Sequence, residues 1–289
     1  MKKVPVMIIS SEISAENENI CFKYGVFDFI GRPFKTSIVR KRVQNMINIY
    51  VYKNHLEQQV QEQTAVLRKA YEKLEKQKER VEKLNKDILD MLGTIVEFRN
   101  LESGEHIMRV KGYTKILAEK FKELYPEYNL TDEMIDNIVE ASALHDLGKI
   151  SIPDKILLKP GRLTKEEFEY MKLHTVKGCE LIQAVNLEQS EELKQICYDI
   201  IRYHHERYDG KGYPDGLKGD EIPVSAQLVS LADVYDALIN ERCYKDAFSN
   251  EKAFNMIMNG ECGTFSPKLL ETFKQVRDKF ERFAIEERK

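Results

Sequence analysis

The strongest constraint on the fold is a seven-residue repeat of apolar side chains in the middle of the chain. One series is Val60, Leu67, Leu74, Val81, Ile88 and Ile95, and a weaker series is Leu56, Gln63, Ala70, Gln77, Leu84 and Met91. This spacing predicts one helix over residues 50–92, about 65 Å long, that pairs with a second copy as a parallel coiled-coil homodimer. A single solvated helix is the alternative. Gly93 predicts a break before the next domain.

The first segment, residues 1–49, has the pattern strand, helix, strand, helix. The run "VPVMIIS" resembles the fourth strand of a response-regulator receiver domain, and "YGVFDFIGRPF" resembles its fifth strand and turn. Ser10 matches the switch position of that family, and Arg32 stands where the family usually has lysine. The resemblance implies a partial flavodoxin-like α/β fragment. The phosphorylated aspartate would precede residue 1, so we expect a remnant without phosphorelay function.

Net charge, cysteine usage and apolar runs indicate which partners and which cellular compartment to expect. The formal net charge of −3 gives no basic field, so we expect no nucleic-acid partner. The five cysteines are scattered, which is typical of reduced packing residues in a cytoplasmic protein. No apolar run approaches the ~18–20 residues of a membrane span.

The third segment, residues 93–289, reads as an all-α domain. Helix-start signals recur along it: Thr131 before an acidic turn, the capping box from Thr164 to Glu167, Pro223, and Ser266 followed by Pro267. No run alternates in the way that a half-buried strand does. The fold class that we predict is therefore mainly α, preceded by the long coiled-coil helix and the α/β fragment.

Histidines and carboxylates cluster in this third segment. Five of the six histidines lie between His106 and His205. With their acidic neighbours they form one set of N and O donors: Glu102, His106, His145, Asp146, His174, His204, His205 and Asp233. Imidazole and carboxylate suit transition metals such as Zn, Fe and Mn. So many donors suit two or three ions, and clusters of that kind clamp phosphate esters and activate water.

The motifs around these donors resemble a known family. The run "HDLGKISIPDKILLKPGRLTKEEFEYMKLHTVKGCELI" is similar to the HD superfamily of metal-dependent phosphohydrolases. The run "RYHHERYDGKGYPDGLKGDEIPVSAQLVSLADVYDAL", followed by "ERCYKDA", resembles its HD-GYP branch, with the signature at Gly212, Tyr213 and Pro214. This resemblance implies an HD-type helical bundle with metals between its helices and phosphodiesterase activity on cyclic di-GMP.

The resemblance also implies roles for single residues. All eight donors match metal ligands of the family, and Glu102 matches the carboxylate of its trinuclear subset. Two or three divalent ions are expected, with Fe or Mn preferred and Mg or Ni still open. A hydroxide bridging the ions would attack phosphorus. Lys149 would stabilise the developing charge, Asp146 would bridge two ions, and Asp154 would pair with Lys149 or help protonate the leaving group.

Four further residues have expected roles around the ligands. Arg242 and Lys245 match positions that contact the second phosphate or a guanine edge, although Arg242 also reads as an ordinary surface charge. Tyr213 could stack on a guanine or only shape its loop. Asp236 is expected to support a ligand rather than to bind metal itself. Three ions would favour GMP as the product, and two would favour pGpG.

Two other functions remain open from the sequence. One is an HD phosphohydrolase that acts on a different nucleotide. The other is a weakly active dimeric sensor or scaffold, which binds the nucleotide or a GGDEF-domain protein.

Overall fold

The computed structural model describes residues 4–11, 14–100, 104–184, 191–240 and 247–286. Within them the chain forms a two-stranded sheet and ten α-helices. It divides into two compact units, Met1–Val81 and Glu82–Lys289. The prediction of a mainly α fold is confirmed. Among the helices of the described ranges, none combines the length and the apolar character that crossing a bilayer needs.

The first unit begins with a small α/β element. Strands β1 (Met7–Ser10) and β2 (Asp28–Gly31) pair in parallel, and helix α1 (Ala15–Lys23) connects them. Ser14 caps α1 by accepting a hydrogen bond from the backbone N–H of Asn17. The predicted order of strand, helix, strand and helix is therefore present. The resemblance to a receiver domain stays a prediction.

Helix α2 (Thr36–Arg99) contains the whole heptad repeat. The predicted break at Gly93 is wrong, because the helix continues to Arg99. Gly93 is buried, and a β-carbon at this position would collide with the backbone carbonyl of Ala143. This glycine therefore permits a close approach to another part of the chain instead of ending the helix. The domain limits 1–49, 50–92 and 93–289 stay a prediction.

The second unit holds most of the apolar core. Its helices are α3 (Glu105–Leu124), α4 (Asp132–Ser142), α5 (Asp154–Leu157), α6 (Lys165–Ala184), α7 (Glu191–Tyr203), α8 (Val224–Ile239), α9 (Asn250–Met258) and α10 (Pro267–Glu286). Helix α3 packs against α4, α8 and α10, and α6 packs against α7. Fully buried rings of Tyr113, Tyr235, Phe273 and Phe280 fill the centre of this bundle.

The predicted helix-start signals act as expected. The Thr131 side chain accepts from the N–H of Met134 at the start of α4. Thr164 and Glu167 form a reciprocal capping box before α6, because each accepts a hydrogen bond from the other's backbone N–H. A 3₁₀ turn (Leu147–Ser151) follows α4 and packs against α6. These helix ends bring polar side chains from several helices to one place in the second unit.

Candidate metal centre

Most of the predicted metal ligands come together between the helices of the second unit. His106 lies in the first turn of α3, and His145 and Asp146 lie between α4 and the 3₁₀ turn. His174 lies within α6, and Asp233 lies within α8. His204 and His205 follow the end of α7. Residues far apart in sequence are therefore gathered by the packing of α3, α4, α6, α7 and α8.

The donor atoms form two groups. The first donor group consists of Asp146, His174, His204 and His205, and the second consists of Glu97, His106 and His145. Within each group, one ligand atom from every residue lies within 4.8 Å of the others. The rings of His145 and His204 join the two groups, with a centroid distance of 5.3 Å. Two adjacent groups of this size suit a multinuclear centre better than a single ion.

Asp146 lies at the junction of the two donor groups. Its Oδ1 is 3.3 Å from Nε2 of His174 and 3.8 Å from Nε2 of His204. Its Oδ2 is 3.2 Å from Nε2 of His145 and 2.6 Å from Nζ of Lys149. One oxygen therefore faces the first group and the other faces the second. This geometry is what the expected bridging role of Asp146 requires.

Three histidines are oriented by backbone carbonyls. Nδ1 of His145 lies 2.9 Å from the oxygen of Ser142, and Nδ1 of His174 lies 2.8 Å from the oxygen of Met171. Nδ1 of His204 lies 2.9 Å from the oxygen of Ile200. Because a carbonyl only accepts, Nδ1 carries a proton in each bond, and Nε2 is the ring nitrogen that points into the site.

His106 is held by carboxylates instead. Its Nδ1 lies 2.7 Å from Oδ2 of Asp236, which also accepts hydrogen bonds from Arg109. On the other side of the ring, Nε2 is 3.6 Å from Oδ1 of Asp233. Asp236 thus supports a donor from behind, as expected, and Asp233 faces the donor atom.

Glu97 belongs to the second donor group, although the sequence did not predict it. It lies near the end of α2 and is fully buried. The glycine at position 93 predicted the end of the helix, so no helical face was predicted for the residues after it. A carboxylate beside the apolar Val96, nine positions before His106, was the available signal.

The loop after α7 closes one side of the first donor group. Buried Glu206 accepts hydrogen bonds from the backbone N–H groups of Asp215 and Gly216. A β-carbon on Gly212 would collide with the backbone of Glu206, so the close approach requires glycine here. Tyr213 then stacks on His205, with a centroid distance of 4.7 Å. The ring predicted to meet a guanine therefore packs on a predicted metal ligand.

Lys149 and Asp154 lie in and directly after the 3₁₀ turn. Lys149 contacts Asp146, as described above. Asp154 begins α5, and its Oδ1 accepts a hydrogen bond of 2.7 Å from Arg99. Asp154 was expected to pair with Lys149 or to help protonate the leaving group, and its carboxylate pairs with the guanidinium at the end of α2. Its role in protonation stays a prediction. Three predicted site residues, Glu102, Arg242 and Lys245, lie outside the described residues.

Burial and the facing charges shift several pKa values. Burial lowers the pKa of His145, but the attraction of Asp146 outweighs it and raises the pKa to about 10. Burial alone would raise the pKa of Asp146, but Lys149 and the neighbouring histidines hold it well below its usual range. Burial lowers the pKa of His204 to about 3, so its ring is neutral at pH 7. The site therefore holds an ionised Asp146 beside a neutral His204 ring and a protonated His145 ring, and a metal ion that binds Nε2 of His145 would displace its proton.

The donor set fits divalent metal. Seven buried atoms that face the site have no hydrogen-bond partner among the described residues. They are Nε2 of His106, His145, His174 and His204, Oδ1 of Asp146, and both carboxylate oxygens of Glu97. Buried polar atoms are normally satisfied. Coordination to a metal ion would satisfy these atoms, and imidazole and carboxylate ligands suit Mn, Fe or Zn.

A family model for the HD domain matches residues 104–269. This chain belongs to the HD domain family. The resemblance to the HD superfamily that the sequence motifs predicted is confirmed. His145 and Asp146 are adjacent residues of this HD domain, and both face the site.

Three curated relatives are similar to this HD domain protein. A protein of Vibrio cholerae named "Probable cyclic di-GMP phosphodiesterase" is 35% identical, over 98% of this chain and 64% of that protein. A "Cyclic di-GMP phosphodiesterase" of Thermotoga maritima is 32% identical, over 96% of this chain and 73% of that protein. A "3'3'-cGAMP-specific phosphodiesterase 2" of Vibrio cholerae is 38% identical, over 68% of this chain and 35% of that protein. The chain thus spans less than two thirds of two of these relatives.

Proposed function

We propose that this HD domain protein is a metal-dependent phosphodiesterase that hydrolyses cyclic di-GMP. The observation that carries the proposal is the convergence of buried, unsatisfied imidazole and carboxylate atoms around Asp146. The names of two relatives, each matching more than nine tenths of this chain, support cyclic di-GMP as the substrate.

The residues that we assign to metal binding are those of the two donor groups together with Asp233, and Glu102 stays a predicted ligand. Neutral imidazoles and carboxylates favour Fe or Mn, with Mg and Ni as weaker candidates. When bound, such ions would supply Lewis-acid activation of water and of the phosphate oxygens. We expect two or three ions.

The protein's own groups prepare the reaction in two ways. The carbonyls behind His145, His174 and His204 fix the ring orientations, so the donors are preorganised. Lys149 places a cation 2.6 Å from Asp146, at the edge of the site where a phosphodiester would lie. Its ammonium would donate to a non-bridging oxygen and stabilise the charge that develops during attack.

The substrate would extend from the donors towards the loop after α7. A cavity of about 180 Å³ adjoins His205, and its lining includes Tyr213, Arg207, Phe168 and Thr264. Aromatic and guanidinium groups of this kind suit a nucleobase and a phosphate. Arg242 and Lys245 remain predicted contacts for the second phosphate. Cleavage of one diester bond gives linear pGpG, and cleavage of both gives two GMP.

A second substrate is favoured by one specific observation. The relative named for 3'3'-cGAMP shares 38% identity with this chain. This cyclic dinucleotide has the same pair of 3′–5′ diester bonds, and only one base differs. The metal site would treat both substrates alike, so the choice rests on the base-binding surfaces. A weakly active sensor or scaffold is less favoured because such a protein does not need this preorganised donor set.

Assembly and compartment complete the proposal. The heptad series on α2 is exposed in the single chain, for example at Leu67 and Leu74. We propose a parallel homodimer through this series. A GGDEF-domain protein would be a signalling partner, and the scattered cysteines favour the cytoplasm.

A panel of substrates tests the function. Purified protein reconstituted with Mn²⁺ is assayed with cyclic di-GMP and with 3'3'-cGAMP, and kcat/KM is compared. We expect cyclic di-GMP to be the better substrate and Asp146→Ala to abolish both turnover and metal loading. Asp132→Ala is the matched control because Asp132 is an exposed carboxylate of the same unit. Binding of cyclic di-GMP with no turnover in metal-loaded protein would favour the sensor instead.

A further inference from the structure

Glu97 occupies a position where an apolar side chain would normally lie. It shares the buried face of α2 with Gly93 and Val96, while the neighbouring Phe98 is 77% exposed. Its own exposure is 0%. The helix thus buries a carboxylate and leaves a phenyl ring in solvent, which reverses the usual preference. Such an inversion at the edge of a polar site indicates a requirement for the carboxylate itself.

No hydrogen bond from the described residues compensates for this burial. Neither Oε1 nor Oε2 of Glu97 has a hydrogen-bond partner among the described residues. Taking a carboxylate out of water without a partner is strongly unfavourable. A cation that arrives from outside the chain would remove the penalty.

The position of the donor atoms identifies the kind of cation. A carboxylate oxygen of Glu97 and ring nitrogens of His106 and His145 lie within 4.8 Å of one another. Metal–ligand bonds of about 2.0–2.2 Å hold donors roughly 3–4 Å apart, so these three need only a small contraction to share one ion. Two imidazoles and a carboxylate are a common donor set for divalent transition metals.

We propose that Glu97 is a metal ligand that completes the second donor group with His106 and His145. The inference rests on the proposed metal-dependent function and adds a ligand to it. Its consequence is that α2, the helix with the heptad repeat, supplies part of the metal centre. Metal loading is then sensitive to the placement of the last turn of α2.

The assignment also bears on Glu102. The acidic ligand predicted near His106 is Glu102, four residues before it. Glu97 is nine residues before His106 and approaches from α2. Separate substitutions of the two glutamates distinguish their contributions.

The test measures metal binding rather than activity. Metal-free wild type, Glu97→Gln, Glu97→Asp and Glu102→Gln are titrated with Mn²⁺, and bound metal is counted by mass spectrometry after removal of free ions. Competition with a chelator then gives the affinities. Glu119→Gln is the control because Glu119 is exposed on α3 and pairs with Lys115.

We expect Glu97→Gln to lose about one ion per chain, or to bind its weakest ion at least about tenfold less tightly. Glu97→Asp should retain more metal than Glu97→Gln, and Glu119→Gln should match wild type. The metal-free Glu97→Gln protein should melt no lower than metal-free wild type, because the variant no longer buries a carboxylate. This melting curve separates a lost ligand from misfolding.

Two outcomes would overturn the inference. Wild-type stoichiometry and affinity in Glu97→Gln would remove Glu97 from the metal centre and leave the proposed function intact. A wild-type protein that binds no Mn²⁺ or Fe²⁺ at all would contradict both the assignment of Glu97 and the proposed metal-dependent function. If Glu97→Gln does not fold, Glu97→Met decides, because it removes the carboxylate and keeps a long buried side chain, and wild-type metal affinity in that variant contradicts the assignment.

Discussion

The guanidinium of Arg99 donates a hydrogen bond of 2.7 Å to the carboxylate of Asp154. The same guanidinium donates to the backbone oxygens of Lys149, Ile150 and Ile152, at 2.7–2.8 Å. One side chain at the end of α2 therefore binds the carbonyls of the 3₁₀ turn and the start of α5. Through these bonds Arg99 fixes the backbone that carries Lys149.

This arrangement predicts that Arg99 is a positioning residue. Arg99→Ala should lower kcat by about 10- to 100-fold, because small displacements of a catalytic group are costly. Arg99→Lys should recover only part of the activity, since an ammonium cannot reproduce the planar fork. Steady-state kinetics and metal analysis of each variant check the prediction.

A surface arginine provides the control for this series. Arg277 pairs with Glu281 on α10 and has no contact with the site residues described above. Arg277→Ala should keep wild-type kinetics. Equal kcat in Arg99→Ala and wild type would show that the hydrogen bonds do not position Lys149.

Lys149 itself should act on the chemical step and not on metal binding. Lys149→Met should lower kcat by about 100- to 1,000-fold, as expected for the loss of one donor to a developing negative charge. Its ammonium neutralises Asp146, so removal should leave metal affinity equal or higher. The measurement is kcat alongside a Mn²⁺ titration, with the exposed Lys115→Met as the control. Loss of metal in Lys149→Met would assign the lysine a structural role.

The sequence predicted every member of the first donor group and also His106 and His145 of the second, but not Glu97. Histidine next to aspartate, and histidine next to histidine, are local patterns that the chain displays directly. Glu97 and Arg99 carry no such pattern, because their roles depend on the packing of α2. Gly93 gave a wrong prediction, since glycine ends some helices and permits close packing in others. Only the approach of the Ala143 carbonyl distinguishes the two cases.

The fold was predictable to a similar degree. Helix starts at Thr131 and Thr164 follow from side-chain capping, which is a local interaction. The pairing of Asp154 with Arg99 joins two segments more than fifty residues apart, and no spacing rule indicates it. The stacking of Tyr213 on His205 depends in the same way on how the loop after α7 folds back.

Two buried thiols give a pH prediction away from the metal site. Burial raises the pKa of Cys197 to about 12 and that of Cys179 to about 11. The folded state therefore keeps both protons above pH 9, where the unfolded thiols lose theirs. Stability from this source is complete below pH 9 and is lost as pH rises towards 12.

Denaturant unfolding between pH 8 and pH 10.5 measures this effect. Cys197→Ala should show a shallower decrease of the unfolding free energy with rising pH than wild type does, by up to about 1.4 kcal/mol per pH unit. Cys21→Ala is the control because Cys21 is only partly buried. Parallel curves for wild type and Cys197→Ala would contradict the raised pKa.

The heptad series predicts a coiled-coil dimer, and charged residues introduced into the seam should disrupt it. Leu67 and Leu74 are 70% and 62% exposed in the single chain. Leu67→Glu combined with Leu74→Glu should convert a dimer into a monomer, because like charges would face each other in the seam. Light scattering at micromolar concentration measures the mass, with Lys76→Glu outside the seam as the control. A monomeric wild type would refute the coiled coil.

The central claim is hydrolysis of cyclic di-GMP at this metal centre. The most direct test incubates protein reconstituted with Mn²⁺ or Fe²⁺ with cyclic di-GMP, separates the products by chromatography, and counts the metal in the same sample. We predict pGpG or GMP, with two or three ions per chain and no product after metal removal. Intact cyclic di-GMP in the presence of fully loaded protein would contradict the account.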